Sequence, residues 1–142
     1  MYILITGGTS GLGFYTAMTL AEDQSNKILL IGSNKVKGVR AVEEIIKKTK
    51  NKNIKYLEGD LSSIKQISMI AKDLIKEKFD ILINNAGALY FSRMESVEKI
   101  EKTFALNHLS YFALTNLLLQ NKNIKRCGRI INVASGAHKG VD

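Results

Sequence analysis

Along the 142-residue chain, short unbroken apolar runs alternate with longer stretches in which apolar residues recur every three or four positions. Tyr2 to Ile5, Ile28 to Ile31, Ile54 to Glu58, Phe79 to Ile83 and Arg129 to Val133 are the runs, most of them closed by glycine, asparagine or aspartate. Runs of this length, dominated by apolar residues, predict strands buried on both faces. The periodic stretches predict helices at about Leu12 to Ala21, Val36 to Thr49, after Ser63, and at roughly Val97 to Gln120. Ser63 with Gln66 three residues on reads as a capping box. It opens a helix whose Ile67, Ile70, Ala71, Leu74 and Ile75 form one stripe.

Strands that alternate with helices make βαβ units and a parallel sheet. Right-handed crossovers then predict an α/β fold, a Rossmann-like doubly wound sheet of five strands in the order 3-2-1-4-5, within a single domain spanning residues 1–142. In such a sheet ligands bind beyond the carboxyl ends of the strands, near the switch between strands 1 and 4. The segments predicted there are Thr6 to Gly13, Ser33 to Lys37, Asp60-Leu61, Asn84 to Gly87, and Ser135.

The first of these segments, TGGTSGLG, has four glycines in eight residues and joins a strand to a helix. Gly7 and Gly8 can take positive φ or admit a ligand to the backbone, and Gly11 and Gly13 leave the first helical turn unobstructed. A helix end of this kind carries about half a positive charge and binds phosphate. The spacing differs from the GxGxxG fingerprint and no Lys-Ser/Thr pair follows, so by itself the turn could equally be a structural connection. About 20 residues on, where an acid would hold a ribose 2′-hydroxyl, the chain has Ser33, Lys35 and Lys37, then Arg40, and no acid until Glu43. Ser33 and Lys37 therefore favour NADP, with NAD the alternative. The other reading is that these lysines are only the solvated face of a helix.

Composition narrows the remaining classes. With 45% apolar and 24% charged residues, the chain is of the soluble globular type and not disordered. The net charge of +8 is scattered lysine, and only residues 35 to 55 are locally basic, so a nucleic-acid partner is a weak third reading and none is expected. The lone Cys127 excludes an internal disulfide and a cysteine metal cluster, and two distant histidines argue against zinc. Absence of a signal peptide, an apolar span or a polybasic anchor makes no membrane partner and a cytoplasmic location the expectation.

Five motifs in order then carry a likeness: Thr6-Gly7-x3-Gly11-x-Gly13, Asp60-Leu61, Asn84-Asn85-Ala86-Gly87, Asn107 in LNHLSYFALTNLLL, and RIINVAS ending at Ser135. Together they resemble the short-chain dehydrogenase/reductase family over nearly the whole chain, the Asn107 and Ser135 segments being most similar to its retinol-dehydrogenase-like branch. The resemblance implies an oxidoreductase that moves a hydride between NAD(P) and a small alcohol or carbonyl substrate. It implies that Gly7, Thr9, Ser10, Gly11, Leu12 and Gly13 hold the pyrophosphate and adenosine ribose, that Asp60 and Leu61 meet adenine, and that Asn85, Ala86 and Gly87 line the cofactor. Ser135 would hydrogen-bond the substrate oxygen and Asn107 would order the water of a proton relay.

One departure stands out. The family's proton donor is the tyrosine of Tyr-x-x-x-Lys, and here Tyr2, Tyr15, Tyr56, Tyr90 and Tyr111 are followed four residues on by Thr6, Thr19, Asp60, Met94 and Thr115. In the family that motif lies after the serine, so the chain is expected to be an N-terminal portion ending after strand 5. The competing expectation is a non-catalytic dinucleotide-binding module or inactive fragment. Leu109, Tyr111, Phe112, Ala113, Leu114, Leu117, Leu118 and Leu119 surround most of their helix, which calls for cover on more than one side. The resemblance implies a homo-oligomer of the full-length parent built on that helix; a buried internal helix is the alternative. His108 and His138 match no catalytic role.

Overall fold

The computed structural model describes residues 1–136. Its strands are β1 (Tyr2–Thr6), β2 (Lys27–Gly32), β3 (Ile54–Glu58), β4 (Phe79–Asn84) and β5 (Ile124–Asn132). They form one parallel sheet in the order β3-β2-β1-β4-β5, as the alternating pattern predicts. Helices α1 (Gly11–Ala21), α2 (Lys35–Thr49) and α3 (Ile64–Asp73) connect the first four strands.

The unbroken apolar runs have a direct structural cause. Ile3 and Ile5 of β1 join Ile28, Leu30, Ala17, Ala21, Ala41 and Ile45 in a core between the sheet and α1 and α2. Leu4, one residue out of phase, joins Leu29, Leu82, Ile67, Ile70, Leu114 and Leu118 in a second core on the other side. Successive strand side chains point to opposite faces, so a strand covered on both must be apolar at every position. Each fully buried Ile or Leu contributes about 1.5–3 kcal/mol. Close approach of helix to sheet needs small residues: a methyl on Gly38 would run into the Tyr56 ring, whose hydroxyl donates to Gly32 O at 2.7 Å.

The structure departs from the pattern in four places. Residues 97 to 101 are not helical: Lys99 has φ +62°, a short bridge pairs Glu95 with Glu101, and the helix starts at Lys102. The Glu101 carboxylate fixes that start by accepting from the Thr103 and Phe104 N–H groups at 2.8 and 2.7 Å. The helix then runs as α4 (Lys102–Phe104), a π-helical turn (Ala105–Leu109) and α5 (Ser110–Gln120). The capping box is only half formed: Ser63 Oγ accepts from Gln66 N, but the Gln66 side chain accepts from Asp60 N. Ile75 lies beyond the end of α3 and is exposed. Finally, β5 begins at Ile124, because Asp80 of β4 faces a bulge at residues 125 to 128. The Lys125 ammonium reaches Asp80 across it at 2.8 Å, so the polar residues around Cys127 belong to a strand.

Among the described residues, α5 is covered on one side only. Ser110, Leu114 and Leu118 are buried, whereas Phe112 is 65% and Leu119 48% exposed.

Candidate functional site

The site grows from the end of β1. Thr6, 1% exposed, ends that strand with its hydroxyl inside the protein. Thr6 Oγ1 accepts from the N–H groups of Asn85 at 2.9 Å and Ala86 at 3.0 Å. Asn85 replies with its side-chain amide, donating to Thr6 O at 3.0 Å and Gly7 O at 3.3 Å. The glycine turn and the loop after β4 are therefore one hydrogen-bonded unit. Buried bonds of this kind contribute about 1 kcal/mol each, and an orphaned partner costs more.

Two glycines in the turn have no substitute. Gly7 has φ +66°, and a methyl there would lie 2.8 Å from Ala86 Cα. A methyl on Gly13 would lie 2.5 Å from Gly7 O and strike the Asn85 amide. Gly11 is different. It has φ +54° but open space where a side chain would be.

Helix α1 begins at that open space. Its N-cap, Ser10, makes no side-chain cap, and its first turn carries no acid. By contrast, Asn34 caps α2 and Ser63 caps α3 with side-chain oxygens. The first N–H groups of α1 are thus left for an outside acceptor.

A cleft of about 680 Å³ lies over this helix end. It is lined by Gly7, Thr9, Ser10, Gly11, Leu12, Ser33, Lys37, Asp60, Leu61, Asn85, Ala86 and Gly87, which are all the expected cofactor residues except Gly13. Gly13 is buried beneath the turn and permits the close approach of α1. Leu61, 3% exposed, gives the cleft little more than an edge, because its side chain belongs to the core. Of the three basic residues after β2, only Lys37 lines the cleft. The Asp60 carboxylate accepts from the N–H and hydroxyl of Ser62 at 2.9 and 2.7 Å, which fixes the turn.

Ser135 and Asn107 line a second cavity of about 750 Å³, with Tyr111, Thr115 and Asn132 among its other walls. It meets the first along Asn85, Gly87, Ala88 and Val133. Asn107 sits in the π-helical turn, a distortion often found at functional sites. Its amide brackets Ala88, accepting from Ala88 N and donating to Ala88 O, both at 2.9 Å. The side chain thereby holds the loop that both cavities share. Burial raises the Tyr111 hydroxyl above the ordinary range, which keeps it protonated. His108 stacks on Phe104 at 5.1 Å, and His138 lies outside the described residues.

Sequence reasoning named Thr6 as the start of the glycine motif but gave it no role of its own, although a polar residue ending a buried strand was the signal. It also missed Ala88, Tyr90, Lys102 and Leu106, which line the cleft together with Gly32, Asn34, Gly59 and Val133. Lys102 and Leu106 are one helical turn apart, a spacing that could have been read once Leu106 was placed beside Asn107. Among the described residues no group of three or more His, Cys, Asp or Glu could hold a metal ion, and no helix is long and apolar enough to cross a membrane.

Comparison with known proteins places this geometry. A family model described as short chain dehydrogenase matches residues 1–141. Human retinol dehydrogenase 13 is 37% identical over 138 residues, covering 96% of this chain and 41% of the relative. The chloroplastic short-chain dehydrogenase TIC 32 A of Brassica napus is 40% identical over 143 residues, covering 95% of this chain and 44% of the relative. Among solved structures, the Pseudomonas aeruginosa RhlG/NADP active-site complex superposes with a TM-score of 0.77 at 26% identity, over 94% of this chain and 54% of that one. The chain spans less than half the length of these two curated relatives.

Proposed function

The chain belongs to the short-chain dehydrogenase family, and from that premise we propose that it supplies the NADP-binding part of an oxidoreductase acting on an alcohol or carbonyl substrate. The observation that carries the reading is the uncapped N-terminus of α1 opening into the 680 Å³ cleft, with free space above Gly11 and Lys37 on the rim. A pyrophosphate fits there because the N–H groups at the start of α1 that face the cleft, those of Gly11 and Leu12, need an acceptor and the helix end favours negative charge. The complex of the Pseudomonas relative with NADP supports the choice of cofactor.

On this reading Gly7, Thr9, Ser10, Gly11 and Leu12 hold the pyrophosphate and adenosine ribose, and Gly13 acts beneath them by letting α1 approach. Ser33 donates to a 2′-phosphate and Lys37 balances its charge, while Asp60 and Leu61 border the adenine. Asn85 to Gly87 carry the cofactor toward the second cavity, where Ser135 faces the substrate oxygen. Asn107 fixes the shared loop through Ala88. When bound, the nicotinamide supplies the hydride acceptor or donor.

A second reading is favoured by one observation: within residues 1–142 no tyrosine is followed four positions on by lysine. It makes the chain a dinucleotide-binding module without turnover of its own. Fluorescence titration with NADPH and NADH, followed by a turnover assay, separates the two. Saturable binding with NADPH preferred and no turnover supports the module; absence of binding removes both. In a longer protein that carries this chain, Ser135→Ala is expected to lower turnover at least tenfold while leaving NADPH affinity within about twofold. Unchanged turnover would remove Ser135 from the substrate role.

A further inference from the structure

The lining of the cleft also includes Tyr90, Lys102 and Leu106, to which nothing above gives a role. Lys102 is half-buried, and its ammonium lies 5.4 Å from the centre of the Tyr90 ring. Among the described residues no carboxylate forms an ion pair with it. A half-buried cation balanced only by an aromatic face retains unused donors.

The pair is also held in place. Lys102 N donates to Met94 O at 2.9 Å, and Glu101 caps the turn that Lys102 begins. The segment leading to it is clasped to the start of α3, because Glu98 accepts from Ser63 Oγ at 2.7 Å and Lys65 N at 3.1 Å, and it is braced within itself by Ser96 Oγ donating to Glu98 at 3.0 Å. At the other end, Asn107 brackets Ala88. Tyr90 and Lys102 thus face the cleft from a strap anchored on both sides.

We propose that Lys102 and Tyr90 form a purine-binding wall, the ammonium donating to ring nitrogens of the adenine and the phenol ring covering its outer edge. This rests on the cofactor reading above, which sets the adenine beside Asp60 and Leu61. A purine offers ring-nitrogen acceptors and an electron-rich face, which an ammonium with three donors can engage. The wall takes the base, so it acts on NADP and NAD alike. Lys37, beside Ser33, is the residue that distinguishes them.

The test is titration of the whole chain and of Lys102→Met, Tyr90→Leu and Lys37→Met with NADPH and NADH, circular dichroism confirming that each variant is folded. Methionine keeps the apolar stem of Lys102 and removes only the charge. The expected result is that Lys102→Met and Tyr90→Leu each weaken both cofactors about 3- to 10-fold with their ratio unchanged, whereas Lys37→Met weakens NADPH selectively. Wild-type affinity in Lys102→Met overturns the wall and leaves the cofactor reading standing. Selective loss of NADPH in Lys102→Met also overturns it, by assigning that lysine to the 2′-phosphate. A Lys102→Met effect that high salt abolishes, with Tyr90→Leu silent, overturns it in favour of long-range attraction to a polyanion. If the unmodified chain binds neither cofactor, the cofactor reading itself fails.

Discussion

The cleft over the glycine turn and the cavity beside α5 share Asn85, Gly87, Ala88 and Val133, yet their remaining walls are made differently. In the cleft, Thr6, Gly7, Asn85 and Ala86 interlock through buried hydrogen bonds, and Gly13 lies sealed beneath them. In the cavity, Phe112 and Ser135 are exposed, and among the described residues α5 is tied to the end of β5 chiefly through one buried side chain: the Asn84 amide donates to Thr115 Oγ1 at 3.0 Å and to Asn132 Oδ1 at 2.8 Å, while Tyr111 reaches Val133 O at 3.5 Å. The cleft is thus held by several interlocking bonds between the end of β1 and the loop after β4, whereas the cavity rests on one bridging amide and carries exposed side chains on its walls. Substitutions should separate the two regions.

The largest effect belongs beneath the cleft. Gly13→Ala forces a methyl against Gly7 O and the Asn85 amide, and is expected to destabilise the chain by about 3 kcal/mol or more in urea unfolding, with cofactor binding lost. Thr6→Val comes next. It keeps shape but leaves the Asn85 and Ala86 N–H groups without their acceptor, for an expected cost of about 2–3 kcal/mol by the same measurement. If either variant unfolds like the parent, the cleft is not the locked region.

A smaller effect concerns the strap. Hydrogen bonds from the Ser63 hydroxyl, then Lys65 N–H and the Ser96 hydroxyl, hold the Glu98 carboxyl below its ordinary value of 4.5. A depressed folded-state pKa means that the unfolded chain takes up the proton first as pH falls. The stabilisation is therefore present above about pH 4.5 and is lost as pH drops through the lower folded value. Melting curves from about pH 6 to about pH 3 should show Glu98→Gln losing part of the parent's pH slope; an unchanged slope would mean the strap is not clasped this way. The smallest effect is expected at the cavity. Phe112→Ser, on a 65% exposed position, should shift stability by no more than about 0.5 kcal/mol, and a larger loss would show that this face is covered.

Most of the fold was legible because a sheet covered on both faces demands unbroken apolar runs, and Ile3 to Ile5 or Ile28 to Ile31 supply them without ambiguity. The glycine turn was legible for a similar reason, since positive φ at Gly7 and Gly11 is a local demand. What stayed hidden depends on partners distant in sequence. Val97 to Glu101 has apolar residues at helical spacing, and only the bridge to Glu95 and the left-handed Lys99 show that Glu101 caps a helix instead of lying inside one. Residues 125 to 128 precede the apolar run that starts at Arg129 and carry no strand signal of their own, yet the Lys125 to Asp80 contact accompanies their place as a bulge in β5. Gly13, expected to line the cleft, lies beneath the glycine turn, and Tyr90 and Lys102 reach the cleft wall from a strap whose anchors are in α3 and the π-helical turn. The family likeness located the motifs, and the geometry sorted those that line the cleft from those that support it.

The most direct test of this division is to follow backbone amide signals of the ¹⁵N-labelled chain during titration with NADP. Saturable shifts at residues 7 to 12, 33, 37 and 85 to 87, with Asn116, which lines only the second cavity, unmoved, are the expected result. Shifts confined to that second cavity, or none that saturate, would contradict the assignment of the cofactor to the glycine turn.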